Sequence, residues 1–235
     1  MALLPTKKSQ KVHGIENDIT LIYGLPKIGK STFVSGFENA LFLDSEGGLS
    51  KLNVYKTPID SWETFVSVYK ELAEQVKAGK CIFKPLVFDT IDNIYVMCMD
   101  YICKKKGLDH PSDLDFGKGW NMVKREFVAA MQKYRSLGLG VVYISHAAGS
   151  EIKGRTGTYT RYDTTMPGQC STIITPSCDF ILYAHGVTAK DGSEKRVLET
   201  KPTQYWNAGD RTGLLPETMP LNYAEFMKVF NEITK

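Results

Sequence analysis

Short apolar runs alternate with longer segments of helical periodicity along this chain. Runs rich in β-branched and aromatic residues, each ending at a glycine or a polar residue, predict strands. These predicted strands cover residues 19–23, 40–44, 54–55, 85–88, 139–144, 179–184 and 196–200. Apolar positions spaced three or four residues apart predict helices over 31–37, 91–106, 121–137 and 223–233, and one that starts at Ser61. Strands alternating with helices favour an α/β fold, with a mostly parallel central sheet flanked by helices on both faces.

The composition is that of an ordinary globular protein. The 235 residues are 43% hydrophobic and 23% charged, and 29 basic against 26 acidic residues leave a formal net charge of +3. These values exclude general disorder, and the small net charge points to no class of partner. No run approaches the roughly 18 uncharged apolar residues of a membrane span, so no membrane association is expected.

One domain preceded by a short arm is expected. Residues 1–17 form a basic arm with Lys7, Lys8 and Lys11, and they lack the apolar core of a secretory signal. Residues 18–235 show no repeat and no low-complexity linker, which favours a single domain. The cysteines are odd in number and form no C-x-x-C pair, so we expect reduced thiols in a cytoplasmic protein.

A phosphate-binding loop follows the first predicted strand. Residues 24–32 read G-L-P-K-I-G-K-S-T and match the pattern G-x-x-x-x-G-K-[ST]. Its glycines let backbone N–H groups turn toward phosphate oxygens, while Lys30 should bridge the β- and γ-phosphates of ATP and Ser31 should ligate Mg²⁺. The alternative is a glycine-rich turn beside a surface lysine. The predicted nucleotide contacts are Gly24, Leu25, Pro26, Lys27, Ile28, Gly29, Lys30, Ser31 and Thr32.

Carboxylates follow two other predicted strands. Asp89 ends the strand over 85–88, where a carboxylate can hold the magnesium ion together with Ser31. Asp92 lies beyond that strand end and is interpreted as a cap of the next helix. Glu46 follows the strand over 40–44 and could deprotonate the attacking water, the alternative being a cap of the turn at residues 47–48.

Two of these strand ends resemble the RecA-type core of P-loop proteins. They read F-L-D-S-E over residues 42–46 and Y-I-S-H over 143–146. In the wider AAA+ group the catalytic glutamate directly follows the metal-binding aspartate, and here Thr90 occupies that position. The resemblance implies that His146 senses the γ-phosphate, the alternative being a hydrogen-bonded histidine at a strand end.

The chain also resembles phage P-loop nucleotide-binding proteins, the Sak-type group of RecA-like single-strand annealing proteins. This resemblance spans about residues 15–230 and is carried by G-L-P-K-I-G-K-S-T, F-D-T-I-D, F-G-K-G-W, Y-I-S-H and R-T-G-L-L-P, in that order. It implies a RecA-like ATPase in the bacterial host cytoplasm. Related ring proteins carry a late K-x-R that reaches the neighbouring subunit's nucleotide. Arg211 keeps that arginine, Gly209 replaces the lysine, and the alternative is a plain surface arginine.

A DNA-binding segment is expected after the sensor strand. Residues 147–172 are predicted to form a mobile loop without secondary structure, in which cations would follow phosphates and aromatic rings would stack on unpaired bases. The candidate DNA contacts are Lys153, Arg155, Tyr159, Arg161 and Tyr162. The alternative is a solvated hairpin whose tyrosines pack on the body of the protein. The lysines at 104–106 are better explained by the dipole of the helix they end.

These residues together predict a Mg²⁺-dependent ATPase of phage recombination that binds single-stranded DNA and promotes annealing or pairing. A trans-acting Arg211 would require a homo-oligomer, either a ring or a filament. A single-strand-binding protein is a candidate partner. The alternatives are a helicase-like or loader ring ATPase of DNA replication, and a nucleotide-gated binding module with little hydrolysis.

Overall fold

A single twisted sheet with helices on both faces organises the chain. The computed structural model describes residues 14–155, 157–189 and 191–233. Its strands are β1 Ile19–Gly24, β2 Leu41–Asp44, β3 Tyr55–Pro58, β4 Leu86–Asp89, β5 Val141–Gly154, β6 Gly157–Thr164, β7 Phe180–Thr188, β8 Glu194–Glu199, β9 Gly209–Asp210 and β10 Thr218–Pro220. Its α-helices are α1 Lys30–Val34, α2 Trp62–Lys77, α3 Ile91–Lys106, α4 Lys118–Arg135, α5 Gly168–Ile174 and α6 Tyr223–Ile233.

The sheet is mostly parallel, as predicted. Its strand order is β10-β8-β7-β1-β5-β4-β2-β3, and every neighbouring pair from β7 to β3 is parallel. Strands β8 and β10 extend the β7 edge in antiparallel fashion, and the short β9 also pairs with β7. The carboxyl ends of β1, β5, β4 and β2 therefore meet along one edge of the sheet, where ligands bind in open α/β folds.

Two apolar cores, one on each face, hold the helices on this sheet. Successive strand residues point to opposite faces, so Phe88 belongs to the core under α2, α3 and α4, while Val87 belongs to the core under α1 and α6. In the first core Phe65 meets Phe88 edge to face, with ring centroids 5.5 Å apart. Tyr134 donates a hydrogen bond from its buried hydroxyl to the carbonyl oxygen of Phe65 at 2.7 Å.

The expectation of a long loop over residues 147–172 is wrong. Strand β5 continues past the sheet edge to Gly154 and pairs with β6, from Ala147 opposite Thr164 to Gly154 opposite Gly157. Helix α5 then occupies Gly168–Ile174. Strand β6 reads G-T-Y-T-R-Y-D-T, and its alternating threonines and tyrosines suit a strand. The glycines and charges that suggest a loop in the sequence lie instead on an exposed antiparallel hairpin.

The cysteines, the helices and the N-terminal arm complete the description of the fold. All five cysteines are free thiols, four of them buried. None of the helices described is both long enough and apolar enough to cross a membrane. The basic arm with Lys7, Lys8 and Lys11 precedes residue 14 and lies outside the described residues.

Candidate nucleotide-binding site

The loop between β1 and α1 has the geometry of a phosphate-binding loop. Gly29, at its end, has φ 115°, a left-handed conformation that strains residues with a side chain. Lys30 is buried, and its Nζ donates to the carbonyl oxygens of Gly24 at 2.8 Å and Leu25 at 3.1 Å. Burial lowers the pKa of Lys30, and the nearby carboxylate of Asp89 partly offsets that shift. The buried ammonium is therefore held at the loop, where phosphates would replace the carbonyl oxygens.

Ser31 and Asp89, the two residues predicted to ligate magnesium, meet at the sheet edge. The Ser31 hydroxyl, at the start of α1, donates to Oδ2 of Asp89 at 2.7 Å. Strand β5 lies between β1, which precedes the phosphate loop, and β4, which ends at Asp89. Burial raises the pKa of Asp89 to about 6; Glu46 and Asp44 add to this shift, while Ser31 and Lys30 oppose it. A buried carboxylate near other acids is stabilised by a cation.

The donor set at Ser31 and Asp89 suits magnesium better than a resident transition metal. Among the described residues no group of three or more His, Cys, Asp or Glu side chains could hold a metal ion. Magnesium instead takes one or two protein oxygens and fills its remaining positions with phosphate oxygens and water. The hydroxyl of Ser31 and the carboxylate of Asp89 fit that requirement.

Glu46 lies next to this pair because β2 and β4 are neighbours. Asp44 pairs with Asp89 in the parallel register, which brings the end of β2 to the same edge. Asp44, not Glu46, caps the following turn, since its Oδ1 accepts from the N–H groups of Glu46 at 3.2 Å and Gly47 at 2.7 Å. Oε1 of Glu46 instead accepts from the Thr90 hydroxyl at 3.1 Å. Thr90, which stands where the AAA+ group has its catalytic glutamate, thus positions Glu46.

His146 completes this side of the site from strand β5. Its Nε2 lies 2.9 Å from Oε1 of Glu46, which is one hundred positions away in the sequence. Its Nδ1 is buried and has no hydrogen-bond partner among the described residues. The two predicted catalytic side chains therefore form one unit beside the phosphate loop, and their catalytic roles remain predictions.

Asp92 does not cap α3, contrary to the prediction. The N-cap is Thr90, which makes no side-chain capping bond. Oδ1 of Asp92 accepts from the hydroxyls of Ser145 at 3.0 Å and Thr165 at 2.6 Å. Burial raises the pKa of Asp92, and the two hydroxyl bonds oppose that shift. Asp92 therefore links α3 to Ser145, just before the β5–β6 hairpin, and to Thr165, just after it. The order of the strands in the sheet brings these segments together.

A cleft of about 290 Å³ gathers Glu46, Asp89 and His146 with part of the predicted phosphate loop. Five of the nine predicted nucleotide contacts line it, and Gly24, Leu25, Pro26 and Ile28 do not. Lys51 also lines it, which sequence reasoning missed, although a lysine shortly after the Gly47–Gly48 turn was a usable signal. The cleft is lined by Lys27, Gly29, Lys30, Ser31, Thr32, Glu46, Gly48, Leu49, Lys51, Leu52, Asp89, Ile144 and His146.

Arg211 is not part of this cleft in the same chain. Its Nη1 donates to Oδ1 of Asp179 at 2.7 Å, and its Nη2 donates to the carbonyl oxygen of Cys178 at 3.2 Å. Asp179 also accepts a hydrogen bond from the N–H of Ile19, the first residue of β1. The phosphate loop follows Gly24, at the other end of the same strand. Arg211 thus lies at the opposite edge of the sheet, and its action on a neighbouring subunit stays a prediction.

The predicted DNA contacts divide into two groups. Lys153 and Arg155 are exposed at the hairpin tip, and Tyr159 is half-buried beside Tyr205, with ring centroids 5.7 Å apart. Arg161 and Tyr162, in contrast, are bound to the body of the protein.

Contacts with the body of the protein set Arg161 and Tyr162 apart from the exposed residues at the hairpin tip. Arg161 pairs with Asp163 at 2.9 Å and donates to the carbonyl oxygen of Gln204 at 3.2 Å. The Tyr162 ring stacks on Tyr183, with centroids 5.9 Å apart, which agrees with the alternative of a hairpin packed on the body. Segment 203–207, which supports the hairpin, was not found from the sequence.

A strand, a glycine-rich loop that ends in Lys-Ser at a helix start, and a carboxylate at a nearby strand end define a P-loop NTPase site. The chain belongs to the family described as AAA domain, which matches residues 16–212. It is also similar to the SPbeta prophage-derived uncharacterized protein YorG of Bacillus subtilis (strain 168), with 28% identity over 144 residues. That match covers 60% of this chain and 44% of the prophage protein, so the chain spans less than half of its relative's length.

Proposed function

We propose that this protein is a Mg²⁺-dependent ATPase of phage recombination that binds single-stranded DNA and promotes pairing of complementary strands. The observation that carries the proposal is the continuity of β5. This strand spans Val141–Gly154, so it contributes His146 to the nucleotide cleft and Lys153 to the exposed hairpin. A change at the phosphates can reach the hairpin along one strand.

The chain's own residues support hydrolysis in the following way. Lys30 moves its ammonium from the loop carbonyls to the phosphate oxygens when the nucleotide binds. Glu46 accepts a proton from the attacking water, and His146 orients Glu46 through the 2.9 Å contact. Ser31 and Asp89 would hold Mg²⁺, which would supply charge neutralisation at the phosphates.

The hairpin supplies the features that single strands need. Lys153 and Arg155 are exposed and make no ion pair within the described part of the chain, so they are free to follow a phosphate backbone. Tyr159 and Tyr205 offer adjacent ring edges and faces on which unpaired bases can stack. The packed Arg161 and Tyr162 would hold this surface in place rather than contact DNA.

The test combines turnover with DNA binding. ATP hydrolysis is measured with and without an oligothymidine strand, and binding of that strand is followed by fluorescence anisotropy. We expect DNA-stimulated turnover that Lys30→Ala abolishes, and weaker DNA binding in a Lys153→Ala, Arg155→Ala double variant. The matched control is Lys70→Ala with Lys77→Ala, two exposed lysines of α2. Turnover that ignores DNA, with no anisotropy change, would contradict the recombination proposal while leaving the ATPase in place.

A further inference from the structure

Phe116 is the most exposed large apolar side chain among the described residues, with 94% of its surface open to solvent. It lies in the segment between α3 and α4, where its backbone has φ 57° and that of Gly117 has φ 68°. A bulky side chain rarely adopts this left-handed conformation, which persists only where the surrounding structure enforces it. Both the exposure and the backbone of Phe116 are therefore unfavourable for an isolated chain.

The motif F-G-K-G-W, which begins at Phe116, supplies the rigid support for this residue. A Cβ atom on Gly119 would clash with the carbonyl oxygen of Pro111, so only glycine lets the first turn of α4 pack against the preceding segment. Trp120 donates from its indole N–H to the hydroxyl of Ser112 at 3.3 Å, which ties the same two parts together. The motif lines no part of the nucleotide cleft, and its structural effect is to hold Phe116 outward.

A groove between α2 and α4 offers a site for such a ring. It has a volume of about 90 Å³, which suits one side chain rather than a small-molecule ligand of several hundred Å³. Val66 and Tyr69 line it from α2, and Ala129 lines it from α4. The ring of Tyr69 meets that of Tyr134 edge to face, with centroids 5.4 Å apart, so a third ring would add an aromatic contact.

Charges beside Phe116 and beside the groove are complementary. Asp115 adjoins Phe116, and Lys133 lines the groove. Both are exposed, and neither forms an ion pair within the part of the chain that the structure describes. Glu126, the acid of the groove, already accepts from the indole N–H of Trp62 at 3.1 Å. An incoming Asp115 would therefore be attracted to Lys133 and would orient the ring.

We propose that Phe116 of one copy of this chain enters the α2–α4 groove of a second copy, with Asp115 of the first copy paired to Lys133 of the second. The groove of the same chain is out of reach. Ala129 lies eleven residues beyond the first residue of α4, roughly 17 Å along the helix axis, whereas Phe116 precedes the helix. Because ring and groove are different patches, the contact is head-to-tail and continues into a ring or a filament.

A second copy fits Phe116 better than nucleic acid does. Within three positions of Phe116 the sequence has two acids, Asp113 and Asp115, against Lys118. This balance is unfavourable beside a phosphate backbone, and the matching groove is present on the chain itself. Neither patch contains a residue of the nucleotide cleft, so the inference does not depend on the proposed function.

The experiment measures association by sedimentation velocity over a range of protein concentrations, without nucleotide or DNA. The unmodified protein should associate, and Phe116→Ala should weaken that association by about thirtyfold or more, as expected for a central anchor residue. Ala129→Glu, an exposed helix position, should block the groove and have a similar effect. Ile82→Ala is the matched control, because it removes another apolar side chain that is 57% exposed and should change nothing.

Mixing variants tests the head-to-tail geometry. Phe116→Ala chains keep the groove and Ala129→Glu chains keep the ring, so an equimolar mixture should form dimers and stop there. Asp115→Lys and Lys133→Asp should each weaken association alone, and their mixture should regain it, since every contact between unlike chains then joins opposite charges.

Several results would overturn the proposal. One is an unmodified protein that stays a monomer up to about 0.1 mM, and another is association that Phe116→Ala leaves unchanged. Oligomers larger than dimers in the mixture of Phe116→Ala with Ala129→Glu would show a different interface. Weaker binding of an oligothymidine strand by Phe116→Ala, with association unaltered, would assign the ring to DNA instead.

Discussion

Replacement of Glu46 by glutamine separates a hydrolytic enzyme from a passive nucleotide-gated module. The substitution removes the proton-accepting carboxylate with little change in shape. Glutamine retains a carbonyl oxygen at the position of Oε1, which can still accept from the Thr90 hydroxyl at 3.1 Å and meet Nε2 of His146 at 2.9 Å. The fold and the neighbouring side chains should therefore stay in place.

The magnitude follows from the chemistry that the carboxylate provides. A positioned general base contributes roughly 10²–10⁴ in rate, which corresponds to about 3–5 kcal/mol of activation free energy. We expect ATP turnover of Glu46→Gln to fall by that factor. Nucleotide affinity should remain within about threefold of the original value, because Glu46 does not belong to the phosphate loop.

The assay is steady-state phosphate release, with nucleotide binding measured in parallel by calorimetry. Glu38→Gln makes the same chemical change at an exposed position and should behave like the unmodified protein. Turnover of Glu46→Gln within threefold of the unmodified protein would refute the assignment of Glu46 as base. A large loss of ATP affinity would refute the reasoning that the site keeps its shape.

Three further predictions concern the surroundings of the site. Asp18 has its pKa raised to about 6 by burial and by the carboxylates of Asp179 and Glu16, so the folded state favours the neutral acid. The unmodified protein should then lose stability as pH rises from 4 through 6, because the carboxyl that the folded state keeps neutral becomes ionised over that range. Asp18→Asn should escape that loss, and urea unfolding at pH 5 and pH 8 would show it; parallel pH profiles would disprove it. Arg211→Ala should cost under about 1 kcal/mol of stability, because its ion pair is largely exposed. If Arg211 acts on a neighbouring subunit, the variant should lose turnover and regain some when mixed with Lys30→Ala chains. Turnover equal to that of the unmodified protein would exclude the trans role. Asp92→Ala should weaken DNA binding, measured by anisotropy, more than ATP affinity, since it frees both ends of the hairpin. Asp92→Asn, which keeps an acceptor oxygen, should have a smaller effect. Equal losses of DNA and ATP affinity would argue against a link between Asp92 and the hairpin.

Local features of the site could be predicted from the sequence because each depends on consecutive residues. The phosphate loop needs only the order strand, glycine-rich turn and Lys-Ser, and the loop is found between β1 and α1. The helix over residues 91–106 and the helix over 223–233 were predicted with their observed bounds. The hairpin over 147–164 was considered only as the alternative to a loop, because glycine, threonine and charge are common to loops and to exposed strands.

Side-chain pairing could not be predicted in the same way, as Asp92 and Arg211 illustrate. A carboxylate in the first turn of a helix is an ordinary capping candidate, yet Asp92 turns to hydroxyls that β5 and the end of β6 bring to it. Arg211 resembles a trans-acting arginine by its place in the chain, yet within this subunit it neutralises Asp179. In both cases the partner comes from a distant segment, and sheet order decides which segment is near.

The sequence by itself determined the alternation of strands and helices, the phosphate loop and the candidate carboxylate of Asp89, because each of these patterns consists of consecutive residues. Only the tertiary structure decided that Glu46 meets His146 across one hundred positions. The physical reason is the parallel sheet, which aligns the carboxyl ends of strands far apart in sequence. A single edge thereby holds the groups that one nucleotide would contact.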